Sequence, residues 1–477
     1  MFLLLACDGP AEDSSPSTVE TQDSVTDSDP FVEPVAGCVD ERTTLSGEVC
    51  LLESPCTWSG GHSYEYYGIA LDAGDVTGDG RVDLVVGAPG YRTDGTLSNA
   101  GRVEVVPGAG IDDSTLETPH LSADRADAYL GSSVAVVGDV DGDGISDVLA
   151  GAMGWSEAAT REGAAVLILG GSETLETAAL WTGPIEWARA GWRVDGADLD
   201  GDGLSELFVT GGIRDEDDDV DRGRVYVFSG GEQSGGSLDD ADVVYVGQGS
   251  IEGAGQALAH GDFDGDGLED LAIGAPNGAS YLGRVWIVPG GGDASGEVAM
   301  VIWDHYLDGA NSYDAFGYAL AAGDLDGDGV DELAVGAPLN DEADSSAGKV
   351  HVFSAGEEVG SVTGEFHDFQ LGTGLTAGDL DGDGDEELVM GSVNAWRGLV
   401  TKGGRTYVLD NDQLATDVPA ADLPLKVHGG GVKDYTGGSL VIGDLDGDGA
   451  GDLIVGAGYE NTSGGYDVGA VHLFFGD

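Results

Sequence analysis

The run Asp-x-Asp-Gly-Asp-Gly begins at Asp139, Asp198, Asp262, Asp324, Asp379 and Asp444, and a seventh copy, with Thr at its third position, begins at Asp75. Successive starts lie 64, 59, 64, 62, 55 and 65 residues apart. A period this regular restricts the chain to a repeat architecture, in which each unit buries its apolar faces against its neighbours.

Each copy sits in the same frame. Ahead of it stand a small, apolar or aromatic residue, a glycine and a short segment, as in Phe316-Gly317-Tyr318-Ala319-Leu320 and Tyr67-Gly68-Ile69-Ala70-Leu71. Behind it runs an apolar stretch ending in glycine, such as Asp83-Leu84-Val85-Val86-Gly87-Ala88-Pro89. A polar loop then leads to a β-branched and aromatic segment, for example Gly223-Arg224-Val225-Tyr226-Val227-Phe228. A weaker fourth segment follows, as in Leu180-Trp181-Thr182-Gly183. Short β-branched segments divided by Gly and Asp predict four antiparallel strands per repeat. A lone four-stranded sheet leaves both faces wet, whereas seven arranged radially cover one another. The expected fold is therefore all-β, a seven-bladed propeller.

The last repeat reaches only its third strand, Gly469-Ala470-Val471-His472-Leu473-Phe474-Phe475. The missing fourth pattern stands ahead of the first repeat, at Cys56-Thr57-Trp58-Ser59-Gly60. This N-terminal piece is expected to be the outer strand of the last blade, closing a propeller that spans residues 54–477.

The Asp-rich loops carry the chemistry. Calcium takes six to eight oxygen ligands in flexible geometry, and carboxylates at positions 1, 3 and 5 converge when a glycine at position 6 turns the chain tightly. Position 7 offers its carbonyl and position 9 a closing carboxylate. An EF-hand would need Glu at position 12 between two helices; here that position falls in an apolar strand, as at Ala150 or Val335. The candidate ligands are Asp75, Thr77, Asp79, Arg81 and Asp83 in the first loop, and Asp139, Asp141, Asp143, Ile145 and Asp147 in the second. The third offers Asp198, Asp200, Asp202, Leu204 and Glu206, and the fourth Asp262, Asp264, Asp266, Leu268 and Asp270. Asp324, Asp326, Asp328, Val330 and Glu332 follow, then Asp379, Asp381, Asp383, Asp385 and Glu387, and last Asp444, Asp446, Asp448, Ala450 and Asp452. Six to seven structural Ca2+ ions are expected, with the Thr77 loop the weakest. Clustered carboxylates repel until neutralised, so metal binding and folding should be coupled.

Taken together, Phe316-Gly317, the loop Asp324 to Glu332 and Gly336-Ala337-Pro338 resemble the FG-GAP repeat of integrin α-subunit heads and related bacterial proteins. Gly274-Ala275-Pro276 and Gly87-Ala88-Pro89 repeat the third mark, which drifts elsewhere to forms such as Gly151-Ala152-Met153. The resemblance covers about residues 54–477. It implies seven blades, calcium loops on one face and partners engaged on the other. That opposite face would carry Arg214 to Arg222, Asn340 to Ser346 and the aromatics Tyr64, Tyr66, Trp155, Trp187, Tyr281 and Trp396, for each of which core or loop packing is the alternative. It would engage a protein or polysaccharide ligand.

The chain carries 18 Lys and Arg against 89 Asp and Glu, a formal charge of −71. Such a field repels nucleic acid and anionic membrane surfaces and attracts cations. Seven calcium ions would bring it only to −57, so solubility or adaptation to a salty medium also bears on it. Met1-Phe2-Leu3-Leu4-Leu5-Ala6-Cys7 resembles the tail of a bacterial lipoprotein signal, with Cys7 lipidated, although it lacks a basic start. Residues 8–37 are polar and acidic and are expected to be a disordered tether, followed by a lead-in at 38–53 containing Cys38 and Cys50. Two of Cys38, Cys50 and Cys56 would pair in an oxidising compartment, in a combination the sequence leaves open.

No Gly-x-Ser-x-Gly, His-Glu-x-x-His or phosphate-binding motif is present, and the eight histidines are scattered; His351 and His472 sit in third strands, where cross-strand contacts are expected. The reading is a monomeric, non-enzymatic, extracytoplasmic binding or adhesion module, cell-surface or secreted. A structural envelope protein, or a hydrolase with a His–carboxylate set in the central channel, are its alternatives.

Overall fold

The computed structural model describes residues 48–51, 54–93, 97–109, 118–172, 174–211, 222–231, 233–248, 252–292, 295–300, 306–396, 402–414, 417–462 and 465–476. Cys7, the segment 8–37, Cys38 and most of the acidic loop before Arg222 lie outside them. Seven small sheets account for the strands, and the helical elements among the described residues are single turns.

Blade 1 shows the plan. Ala70–Gly74 pairs antiparallel with Asp83–Ala88, that strand with Arg102–Val106, and that one with His120–Ser122. The inner strands are Ala70–Gly74, Leu130–Val136, Val194–Ala197, Ala257–Gly261, Leu320–Gly323, Leu371–Gly378 and Ser439–Gly443. Each lies against the next and the last against the first, so the ring is closed. Every residue of the second strands, from Asp83–Ala88 to Asp452–Ala457, is buried, as their unbroken apolar runs require for strands covered on both faces.

The apolar core is divided into seven clusters, one at each seam between neighbouring blades. One joins Val85 and Val103 of blade 1 to Val148 and Val166 of blade 2. Another joins Leu84 and Val86 of blade 1 to Ile454 and Val471 of blade 7, across the closure. The recurring glycines belong to the same seams. A Cβ on Gly87 would stand 2.2 Å from the carbonyl oxygen of Gly131 in the next blade, and one on Gly336 2.2 Å from that of Gly372. The seventh blade repeats this against the first, with Gly456 at 2.2 Å from the carbonyl of Gly68. The glycine of one blade's Gly-Ala-Pro mark therefore receives the aromatic-Gly mark of its neighbour, and no side chain fits between the two backbones.

Closure occurs as expected. Cys56–Ser59 is the fourth strand of blade 7, with Cys56 opposite Leu473 and Ser59 opposite Ala470. Pairing extends upstream of residue 54, because Glu48–Cys50 runs parallel to Leu425–His428 at the edge of blade 6. This is one case of a repeated device. Gly236–Ser237 straps the edge of blade 2, Gly296–Ala299 that of blade 3 and Asp417–Pro419 that of blade 5, all in parallel. Each strap precedes the fourth strand of the following blade. The four antiparallel strands hold in every blade, and blades 2, 3, 5 and 6 gain a fifth. The straps cover the unpaired N–H and C=O groups that an edge strand exposes. Cys50 and Cys56 are both disulfide-bonded.

Candidate metal centres and the opposite face

Each Asp-rich loop is the hairpin between an inner and a second strand, so all seven share one face. In the second loop Asp139 organises the turn. Its Oδ1 accepts from Gly142 N at 2.7 Å and Asp143 N at 3.1 Å, and its Oδ2 from Gly144 N at 2.8 Å. Gly144 has φ +87°, and nothing stands within 4 Å of where its Cβ would be. Glycine is needed there for conformation, not for space. The same bonds recur around Asp198, Asp262 and Asp444.

Positions 1, 3 and 9 converge. Carboxylate oxygens lie within 4.8 Å of one another in Asp139, Asp141 and Asp147; in Asp198, Asp200 and Glu206; and in Asp262, Asp264 and Asp270. Asp324, Asp326 and Glu332, and Asp379, Asp381 and Glu387, form the same group. At position 5, Asp143 Oδ1 accepts the Ile145 amide at 2.9 Å, and Asp202, Asp266 and Asp328 do likewise. In the first loop Asp83 accepts the amides of Val76 and Thr77, and Asp79 that of Arg81. The donor set is hard oxygen throughout and suits calcium better than softer transition metals.

Two features of these loops were not legible beforehand. The position-9 acid is also a clasp: Asp147 Oδ2 accepts from Val140 N at 2.9 Å, and Oδ1 from Gly170 N, beyond the third strand, at 2.8 Å. Asp83, Asp270 and Asp452 hold Gly108, Gly290 and Gly476 in the same way. Position-7 side chains touch the neighbouring loop: Ile145 lies over Gly78, Leu268 over Gly201 and Val330 over Gly265. Arg81 continues the circle over the closure, its Nη1 donating to the Asp446 carbonyl.

Burial, with like charge adding to it, raises the position-9 acids, Asp147 to about 6 and Glu332, Glu387 and Asp452 to about 7. Between pH 4 and 7 the metal-free folded protein holds more protons than the unfolded chain, so its stability falls as pH rises through that window. Protein freed of metal should melt at a higher temperature at pH 5.5 than at pH 8, and calcium should reverse the order. A midpoint that rises with pH without metal would contradict this.

The channel holds a second polar group. His260 Nδ1 is 2.8 Å from Glu269 Oε2, and Nε2 is 3.7 Å from Asp195. Burial lowers the His260 pKa, but the Asp195 charge and the Glu269 hydrogen bond outweigh it and lift it to about 9. Among the described residues no hydroxyl or thiol hydrogen-bonds His260. His351 and His472 make the expected local contacts, to Glu358 at 2.7 Å and Glu460 at 2.8 Å.

At the other face, Trp155 is buried beneath Arg125, which stands 3.7 Å from its ring. Tyr66 packs edge-on against Tyr459, and Tyr64 tilts against Tyr66. Trp187, Tyr281 and Trp396 are exposed, Tyr281 stacking on Tyr313 at 5.0 Å and Trp396 lying 5.8 Å from Phe366. Asn340 is buried and donates to Asp314 at 2.6 Å. Twelve large apolar side chains are exposed among the described residues, and ten lie in connections of this face. The other two, Tyr306 and Val359, sit on outer strands. Backbone strain gathers here as well. Non-glycine residues of positive φ come in pairs before the inner strands: Tyr64 and Tyr66, Asp127 and Tyr129, Trp187 and Arg189, Tyr313 and Ala315, Asp368 and Gln370, Lys433 and Tyr435. Such residues cost of order 1–3 kcal/mol each.

The residue after each blade's first-strand glycine surrounds the channel mouth: Ile69, Ser132, Trp192, Gln256, Tyr318, Thr373 and Gly438. With their neighbours they line a cavity of about 870 Å3.

Family models match FG-GAP repeats at residues 67–106, 254–288, 316–353 and 436–474, and an FG-GAP-like repeat at 139–209. The chain is 32% identical over 203 residues to Integrin alpha-PS2 of Drosophila melanogaster, covering 40% of this chain and 13% of that protein. Similarity to Integrin alpha-5 of Xenopus laevis is 30% over 216 residues, 43% of this chain and 20% of the relative. Similarity to Phosphatidylinositol-glycan-specific phospholipase D of Rattus norvegicus is 32% over 189 residues, 37% of this chain and 22% of the relative. The chain thus spans less than a quarter of the length of each.

Proposed function

This chain is an FG-GAP repeat protein, and on that premise we propose that it is a calcium-loaded binding module engaging a protein or polysaccharide ligand on the face opposite its Asp-rich loops. Six or seven structural Ca2+ ions rigidify the loop face and leave the other free for a partner. The observation that carries this reading is the one-sided placement of exposed apolar side chains, ten of the twelve among the described residues, since apolar surface gathered on one face marks an interaction site. The integrin relatives agree in kind. The disulfide-bonded state of Cys50 and Cys56 fits an oxidising, extracytoplasmic setting. Attachment through a lipid on Cys7 belongs to the same proposal. No helix among the described residues is long and apolar enough to cross a membrane.

The test is a protein and glycan microarray probed with labelled, calcium-loaded chain. Tyr313→Ala and Trp396→Ala should each weaken binding about tenfold or more, as buried aromatic anchors do, with the melting temperature unchanged. Binding that survives both but is lost on substituting position-7 residues of the loop face would defeat the reading.

A hydrolase acting in the channel has one observation in its favour, the grouping of His260 with Asp195 and Glu269. The phospholipase D relative is an enzyme by name, matched over 22% of its length. Turnover of chromogenic ester or glycoside substrates that His260→Asn abolishes would establish it.

A further inference from the structure

The cavity at the channel mouth has a composition at odds with the rest of the chain. The protein carries 89 acidic residues, yet among the described residues no Asp or Glu lines this cavity, while Arg193 does. Arg193 Nε donates to the Gln256 carbonyl at 3.2 Å, which fixes the side chain against blade 4. Its two Nη groups have no hydrogen-bond or ion-pair partner among the described residues, although carboxylates outnumber cations nearly fivefold. Arg193 is exposed at the cavity, and the desolvation imposed by the surrounding blades lowers its pKa only from an already high value, so it remains a cation. A planar guanidinium held at one edge, with its fork turned to open space, matches a carboxylate.

Its neighbours narrow the class. Trp192 and Tyr318 line it with aromatic rings, and Gln256, Asn277 and Gln370 with amides. Pyranose rings present an apolar C–H face for stacking and an edge of hydroxyls for amide donors and acceptors. A cavity of about 870 Å3 falls within the ~300–1,000 Å3 usual for small-ligand sites. We propose that the mouth of the central channel binds the end of a uronic-acid-containing saccharide, its carboxylate on the Arg193 fork and its rings against Trp192 and Tyr318. This rests on the binding-module reading and names the ligand class for it. An acidic peptide end would satisfy Arg193 equally, so the experiment sets one beside the saccharides.

The experiment is calorimetric titration of the calcium-loaded full chain with trigalacturonate, its methyl ester, neutral maltotriose and a triglutamate peptide. Trigalacturonate should bind, and the ester about 10- to 100-fold more weakly, the range for one charge-assisted pair. Arg193→Gln should erase that difference, Arg193→Lys should keep part of it, and both should melt like the parent. Uronate bound by the calcium loops would be indifferent to Arg193, so binding unchanged in Arg193→Gln overturns the proposal. Equal binding of acid and ester, absence of saccharide binding, or preference for a peptide carboxylate overturns it too. The wider reading fails separately, if Tyr313→Ala and Trp396→Ala leave every microarray ligand bound.

Discussion

Removing calcium with excess chelator should lower the midpoint of thermal unfolding by about 15–30 °C, with six or seven ions released per chain. At a free concentration a hundred times the dissociation constant, one site adds about 2.7 kcal/mol of stability. Six independent sites would add about 16 kcal/mol, comparable with the ~5–15 kcal/mol that separates most folded proteins from their unfolded chains. At about 1–2 °C per kcal/mol for a domain this large, continuing the size trend of smaller ones, the shift follows. The structure supplies the reason for the coupling. Asp147, Glu206, Asp270 and Asp452 hold the loop to the exit of the third strand, so repulsion in the loop bears on the blade itself. Calorimetry with and without chelator, beside metal counting, checks it. A metal-free chain with an unchanged midpoint would show that the amide hydrogen bonds alone hold the loops.

Deleting residues up to 60 should cost about half as much. Val49, Leu51 and Trp58 are each at most 5% exposed. Returning three such side chains to water costs about 4.5–9 kcal/mol. Loss of Cys56–Ser59 also uncovers the Ala470–Phe474 edge, and loss of Glu48–Cys50 uncovers Leu425–His428. A graded series separates the two. A chain starting at 47 should melt like the parent, one starting at 54 should lose the blade 6 strap, and one starting at 61 should lose both, with a midpoint at least 10 °C lower. Identical melting of the first and last would refute closure by these strands.

The architecture was legible because its marks are local and recur. Asp139 to Asp147 reads as a loop wherever it stands, and the third strand Ala470–Phe474, with no fourth pattern after it, calls for the one at Cys56–Ser59. The straps were not legible. Gly236–Ser237 and Glu48–Cys50 are two and three residues long, share no pattern, and acquire their role only when an edge is presented to them. His260, Asp195 and Glu269 come from two blades, and only the packing of neighbouring inner strands brings them together. The mouth ring could have been found, since Trp192, Gln256 and Tyr318 each follow the recurring glycine. What hid it is that the position varies in chemistry from blade to blade, and a search for repeats rewards what stays the same.

The closing strand also fixes an order of events during synthesis. Ser54 Oγ donates to the Leu473 carbonyl, 419 residues further along the chain. At about 5–20 residues per second, the closing strand Cys56–Ser59 waits roughly 20–80 s for its partner. Blades 1 to 6 can stack as an open arc as they emerge, but the seam between blades 7 and 1 cannot form before the final strand arrives. During that interval Trp58 and the flank of blade 1 are sticky surface. The two edges of the ring therefore meet last, and Trp58 stays uncovered until they do.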